Sequence, residues 1–123
     1  MTIQECYRQL GGDYAEVEKR LTNVSLVRTF LAKFLEDESF FALCLAMKEG
    51  QLQKAFRAAH TLKGVSANLS LTRLFSSSSK LTELLQAEAE TLPANAGPAF
   101  EEVKRDYEQT VSAIRAYLDS ECR

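Results

Sequence analysis

The chain has 123 residues, 46% of them hydrophobic and 26% charged, with a net charge of −2. Those values fit one globular domain with a single core and exclude a disordered or fibrous chain. The longest uninterrupted apolar run, Phe40 to Met47, is too short to span a bilayer. The start, Met1-Thr2-Ile3-Gln4-Glu5, lacks the basic leader and apolar block of a secretion signal. Cys6, Cys44 and Cys122 are scattered at spacings that match no zinc site. Reduced thiols in a cytoplasmic protein follow, with Cys44 expected in the core and Cys122 at an exposed terminus.

Every periodic stretch has a helical period. Ile3, Tyr7 and Leu10 predict a short first helix stopped by Gly11-Gly12. Asp13 then offers an N-cap, with Glu16 three residues on as in a capping box, and Tyr14, Val17 and Leu21 form the inward face. A third helix is predicted from Val24 to Leu35, burying Val27, Phe30, Leu31 and Phe34. The acidic break Glu36-Asp37-Glu38 lets a fourth start near Ser39 and run to Gly50. A fifth covers Gln51 to Asn68. Ser70 or Thr72 is the expected cap of the sixth, whose stripe is Leu71, Leu74, Ser78, Leu81 and Leu85. The serines from Ser76 to Ser79 lie inside that stripe and give it small side chains for close packing on the fifth helix. Thr91 to Pro98 form the clearest loop, and Pro98 suits the first turn of a last helix. That helix is expected to face inward through Phe100, Val103, Tyr107, Val111, Ile114 and Leu118. With no alternating strand pattern, the expectation is all-α: an up-down antiparallel four-helix bundle with additional short N-terminal helices. Residues 1–123 read as one domain, 1–23 being an N-terminal helical extension and 24–120 the bundle.

The fifth helix holds the only histidine, His60. Leu52, Ala55, Ala59, Leu62, Ser66 and Leu69 recur at spacings of three and four and define one buried stripe. At roughly 100° per residue, His60 projects about 130° from the centre of that stripe, toward water or a partner. Lys63 stands three residues on and Gly64 four, one turn along from the ring. An imidazole offers a nitrogen nucleophile near neutral pH, and an ammonium one turn away is a compact charge for phosphate oxygens. A glycine inside a helix costs about 1 kcal/mol relative to alanine; close approach by another macromolecule is one reason for it, and a packing contact or a tolerated weak spot are the competing readings. Gln53, Phe56 and Arg57 precede the histidine near the same face, and Ala67 keeps the strip low beyond it, so these four are the expected docking residues.

Charge is unevenly spread. From Lys48 to Lys80 the chain carries six lysines and arginines against Glu49 alone, a local charge of +5, which leaves −7 for the rest. A basic segment in an acidic chain suits an anionic ligand or an acidic partner surface; separate solvated side chains on different helices are the competing reading.

The run His60-Thr61-Leu62-Lys63-Gly64-Val65-Ser66-Ala67-Asn68-Leu69 resembles the signature of histidine-containing phosphotransfer (HPt) domains, H-x-x-K-G followed by small residues. The resemblance extends from roughly Leu26 to Leu85. It implies that His60 accepts a phosphoryl group, that Lys63 steadies it, and that Gly64 gives a partner room to reach the ring. Two positions depart from the family: Ser70 stands where a glycine often ends the histidine helix, and Thr82 where an acidic residue is common.

The same resemblance implies a phosphorelay carrier that exchanges phosphoryl groups with an aspartate of a response-regulator receiver domain in two-component signalling. A hybrid sensor histidine kinase is a further implied partner, and Mg²⁺ belongs to the receiver, with no cofactor bound by this chain. No phosphate-cradling G-x-x-x-x-G-K loop occurs, so the expectation is a carrier without its own ATP site rather than an enzyme. The alternative is a docking adaptor of the same fold that carries no phosphoryl group. A metal or redox bundle lacks clustered ligands, and neither a nucleic-acid nor a membrane partner suits the acidic balance and scattered aromatics.

Overall fold

The computed structural model describes residues 1–86 and 90–121, and among these residues all regular structure is helical. The elements in order are α1 (Ile3–Leu10), α2 (Tyr14–Leu21), α3 (Val24–Phe34), α4 (Ser39–Lys48), α5 (Leu52–Asn68), α6 (Thr72–Leu85) and α7 (Ala96–Glu121). Cys122 lies outside the described residues.

Packing follows the amphipathic stripes. α5 lies between α4 and α6, and α6 packs on α7. The connections from α4 to α5 and from α5 to α6 span only 49–51 and 69–71, so each neighbour runs antiparallel to the last. Aromatic rings close the bundle. Phe40 of α4 stacks on Tyr107 of α7 at 4.0 Å and on Phe100 at 6.3 Å, and Phe34 of α3 meets Tyr107 at 5.9 Å. The stripe expected on α5 is buried along its whole length, as is that of α6 from Leu71 to Leu85. Ser77 and Ser78 are buried too, and each hydroxyl is satisfied within its own helix by donating to the Leu74 carbonyl.

α1 and α2 grip the turn that follows the histidine helix. Gly11 ends α1 in the left-handed region at φ 73°, a conformation that glycine adopts without the Cβ penalty. At Gly12 a Cβ would stand 2.7 Å from the Ser70 carbonyl oxygen, so the absence of a side chain lets the two turns touch. The Asp13 amide donates to that carbonyl (2.9 Å), the Arg73 amide to Gly11 (3.0 Å), and the Tyr7 hydroxyl to Leu69 (2.8 Å).

Several local expectations are corrected. The Asp13 carboxylate does cap α2 through the Glu16 amide, but Glu16 makes no return bond, because Ser70 holds the Asp13 amide and draws the Glu16 carboxylate at 2.7 Å. Neither Ser70 nor Thr72 caps α6; its N-cap is Leu71, without a side-chain bond, since Ser70 is committed to Glu16. Cys44 is half-buried rather than core. The loop before α7 is shorter than expected, since the helix begins at Ala96, two residues ahead of Pro98. Its buried face is Ala96, Val103, Asp106, Thr110, Ala113, Ile114 and Tyr117, with Phe100, Tyr107, Val111 and Leu118 on its margin. The large apolar residues misled because α7 also covers α1, where small and polar side chains permit close approach.

Candidate functional site

His60 is exposed on the face of α5 opposite the buried stripe of Ala55, Ala59, Leu62 and Ser66. Helix geometry arranges its neighbours on two sides. At roughly 100° per residue, Phe56 and Lys63 lie about 40° and 60° to one side of the histidine, Gly64 and Arg57 as far to the other, and Gln53 and Ala67 almost in line with it. Gln53, Arg57, Gly64 and Ala67 are exposed, while Phe56 and Lys63 are half-buried.

The first side faces α6. The Phe56 ring stacks on the imidazole with centroids 5.9 Å apart and planes 15° apart. The Lys63 ammonium sits over the ring of Phe75, 6.0 Å from its centroid. The second side faces α4 across a groove of about 420 Å³ lined by Ala42, Leu45 and Ala46 of α4 and Lys54, Arg57 and Thr61 of α5. Thr61 is tied to its own helix by donating to the Arg57 carbonyl at 2.9 Å. At the groove, Leu45 is 51% exposed, and Phe41, one turn before it on α4, is 73% exposed.

Among the described residues a Cβ built on Gly64 meets nothing within 4 Å, and Gly64 is not among the residues at positive φ. The packing-contact reading of this glycine is therefore excluded. A helix-weakening residue thus stands one turn from His60 where neither the backbone conformation nor the surrounding packing requires a glycine.

The basic segment divides in the structure. Arg73 donates to Gln109 at 2.6 Å and Lys80 lies 3.7 Å from Glu102, so both point toward α7 and away from the histidine. Lys54, Arg57 and Lys63 form no salt bridge among the described residues. The positive field near His60 therefore comes from α5 itself.

Residues 25–117 match the family model of the Hpt domain. The chain belongs to the Hpt domain family. Hpt domains are phosphotransfer carriers that relay phosphoryl groups through a histidine in phosphorelay signalling. No curated protein and no solved structure matches the chain at a significant level. The matched segment of this Hpt domain begins after α2, so the helices that grip the α5–α6 turn lie ahead of it.

Ser70, which departs from the family's usual glycine, adopts the left-handed conformation all the same, at φ 53°. Its hydroxyl donates to Glu16 and accepts from Arg20 at 3.2 Å, contacts that a glycine could not make. Thr82 is buried and its hydroxyl donates to the Ser78 carbonyl at 2.6 Å, so it plays no part at the surface near His60.

Sequence reasoning did not single out Phe75 or Arg20. Phe75 adjoins the buried Leu74, and only the packing of α6 on α5 brings it under Lys63. Arg20 reaches the end of α5 across 47 residues of sequence, a separation at which periodicity carries no signal. Among the described residues no group of three or more histidine, cysteine or acidic side chains is placed to hold a metal ion, and no helix is long and apolar enough to cross a membrane.

Proposed function

We propose that the whole chain, residues 1–123, acts as one Hpt domain that accepts a phosphoryl group on His60 and exchanges it with an aspartate of a response-regulator receiver domain. Residues 24–120 supply the bundle and 1–23 an N-terminal addition to it. The observation that carries this reading is the setting of the only imidazole: exposed on α5, with the half-buried Lys63 and an open glycine one turn away.

The chemistry asks little of this chain. The outward ring nitrogen, Nε2, attacks the phosphorus of the receiver's aspartyl phosphate. The N–P bond forms as the P–O bond to aspartate breaks, and the electron pair returns to the carboxylate. Charge left on the ring is relieved when the Nδ1 proton passes to water, and the reverse transfer follows the same path. Lys63 offsets the charge of the phosphoryl oxygens, and Gly64 leaves room for the visiting carboxylate to line up with the nitrogen. Positioning and charge neutralisation dominate such transfers. Magnesium on the receiver supplies the remaining positive charge when the two domains meet.

Gln53, Phe56, Arg57 and Ala67 form the contact strip around the ring. An aspartate donor makes the chain a carrier with no ATP site of its own, working in the cytoplasm between receivers and a hybrid sensor histidine kinase. Nucleic acid and membrane have no place in this scheme.

The test is incubation with a panel of phosphorylated receivers, followed by mass spectrometry and a search for acid-labile label. Label on the wild-type chain and none on His60→Ala, with helix content unchanged, is the expected result. An exposed side chain contributes little to stability, so an unfolded His60→Ala variant refutes the surface role. Receiver binding without any label favours the adaptor.

A further inference from the structure

Two aromatic side chains lie against the reacting groups although the transfer just described needs neither as a reactant. Phe56 lies one turn before His60 with its ring nearly parallel to the imidazole, and Phe75 of α6 carries the Lys63 ammonium on its face. Both contacts fall on the α6 side of the histidine, opposite the open backbone of Gly64. We propose that Phe56 and Phe75 are positioning residues of the phosphohistidine site: Phe56 fixes the plane of the imidazole, and Phe75 holds the Lys63 ammonium beside it. This inference rests on His60 being the phosphoryl acceptor.

The physical need is clear from the two side chains served. The second torsion of a histidine is broad rather than sharply staggered, so an unsupported surface ring spreads its attacking lone pair over many directions. An offset parallel ring narrows that spread. Lysine has a flexible four-carbon stem and a strongly hydrated head. A cation over an aromatic face is held there electrostatically, and Lys63 as a whole is half-buried rather than free in water. The incoming phosphoryl group then meets an ammonium already gathered on one side of the ring. The other side, over Gly64, stays clear for the donor. Each contact of this kind is worth about a two- to fivefold change in population.

Phosphoramidate is the probe that isolates the effect, because it needs no docked protein. Its P–N bond breaks as the imidazole N–P bond forms, and ammonia leaves with the electron pair. Phe56→Leu and Phe75→Leu keep the apolar bulk and remove the ring, and each is expected to slow His60 labelling about two- to fivefold. Phe56→Tyr and Phe75→Tyr restore the rate. In a Lys63→Ala background, Phe75→Leu is expected to have no further effect, which a merely structural role would not predict. Unchanged rates in both leucine variants overturn the proposal, as does an equal penalty for Phe75→Leu with and without Lys63. Should the leucine variants fail to fold, nuclear magnetic resonance of the wild-type chain decides. His60 ring protons shifted by the Phe56 ring current support the stack; shifts of a free imidazole overturn it. A wild-type chain that takes label from neither phosphoramidate nor a receiver refutes the carrier reading itself, whereas normal labelling of wild type and variants alike refutes only the role of the two rings.

Discussion

The Arg20 guanidinium of α2 donates to the Asn68 carbonyl oxygen at 2.6 Å, closing the end of the histidine helix from outside it. The same nitrogen reaches the Ala67 carbonyl at 3.0 Å. Carbonyls of a last turn have no partner within their own helix, and a cation there complements the helix dipole. Arg20→Ala is expected to lower the unfolding free energy by about 1 kcal/mol, the modest figure for a charged hydrogen bond at a partly exposed site. Arg20→Lys recovers part of the loss. Urea denaturation measures both, and no change in the alanine variant refutes the clamp.

Substitution of Gly64 is expected to separate stability from function. A methyl group placed there meets open space, so Gly64→Ala is expected to raise stability by up to about 1 kcal/mol through helix propensity alone. The same variant is expected to take phosphoryl groups from a receiver more slowly, and Gly64→Leu more slowly still. Thermal unfolding beside a timed transfer assay gives the two opposed signs. Wild-type transfer by Gly64→Leu removes the close-approach role.

Ser66 lies in the buried stripe of α5, and its hydroxyl has no hydrogen-bond partner among the described residues. An orphaned buried hydroxyl carries its full desolvation cost. Ser66→Ala is therefore expected to stabilise the chain by about 1 kcal/mol. Urea midpoints decide the matter, and a destabilised variant means that the hydroxyl fills space the core needs.

Alkaline pH weakens the fold in a stated window. Burial pushes the Cys6 thiol from its ordinary value of 9.0 up to about 11. The folded chain keeps this proton while the unfolded chain gives it up. The resulting contribution is complete below pH 9 and is lost as pH rises from 9 to 11, at roughly 1 kcal/mol per pH unit. Burial raises Cys44 and Tyr7 as well, so the decline has more than one source. Denaturation under reducing conditions between pH 8 and 11 is expected to show a shallower slope in Cys6→Ala than in wild type.

Much of the fold was legible because each helix declares its own inner face. On α5 the spacing of Leu52, Ala55, Ala59 and Leu62 alone places His60 outside, and the structure agrees. On α7 the same logic turned the helix too far, since it assumes that the largest apolar residues lie deepest. A helix packed on two sides buries Thr110 and Ala113 where neighbours come closest. At the site, the composition of the strip was readable, but the partners of its residues were not. From the letters alone, one basic patch and separate solvated side chains are equally open readings, and only the orientation of Arg73 and Lys80 toward Gln109 and Glu102 separates them. Phe75 gave no signal at all, because its contact with Lys63 depends on a helix-to-helix distance.

The seating of α1 has a bearing on how the chain is made. The Cys6 sulfur meets the Ala113 carbonyl at 3.6 Å across 107 residues of sequence, and Tyr7 meets Leu69 across 62. A helix translated this far ahead of its final neighbour leaves the ribosome with its apolar side in water. Its docking closes long loops and is expected to come late, after α4, α5 and α6 have paired locally.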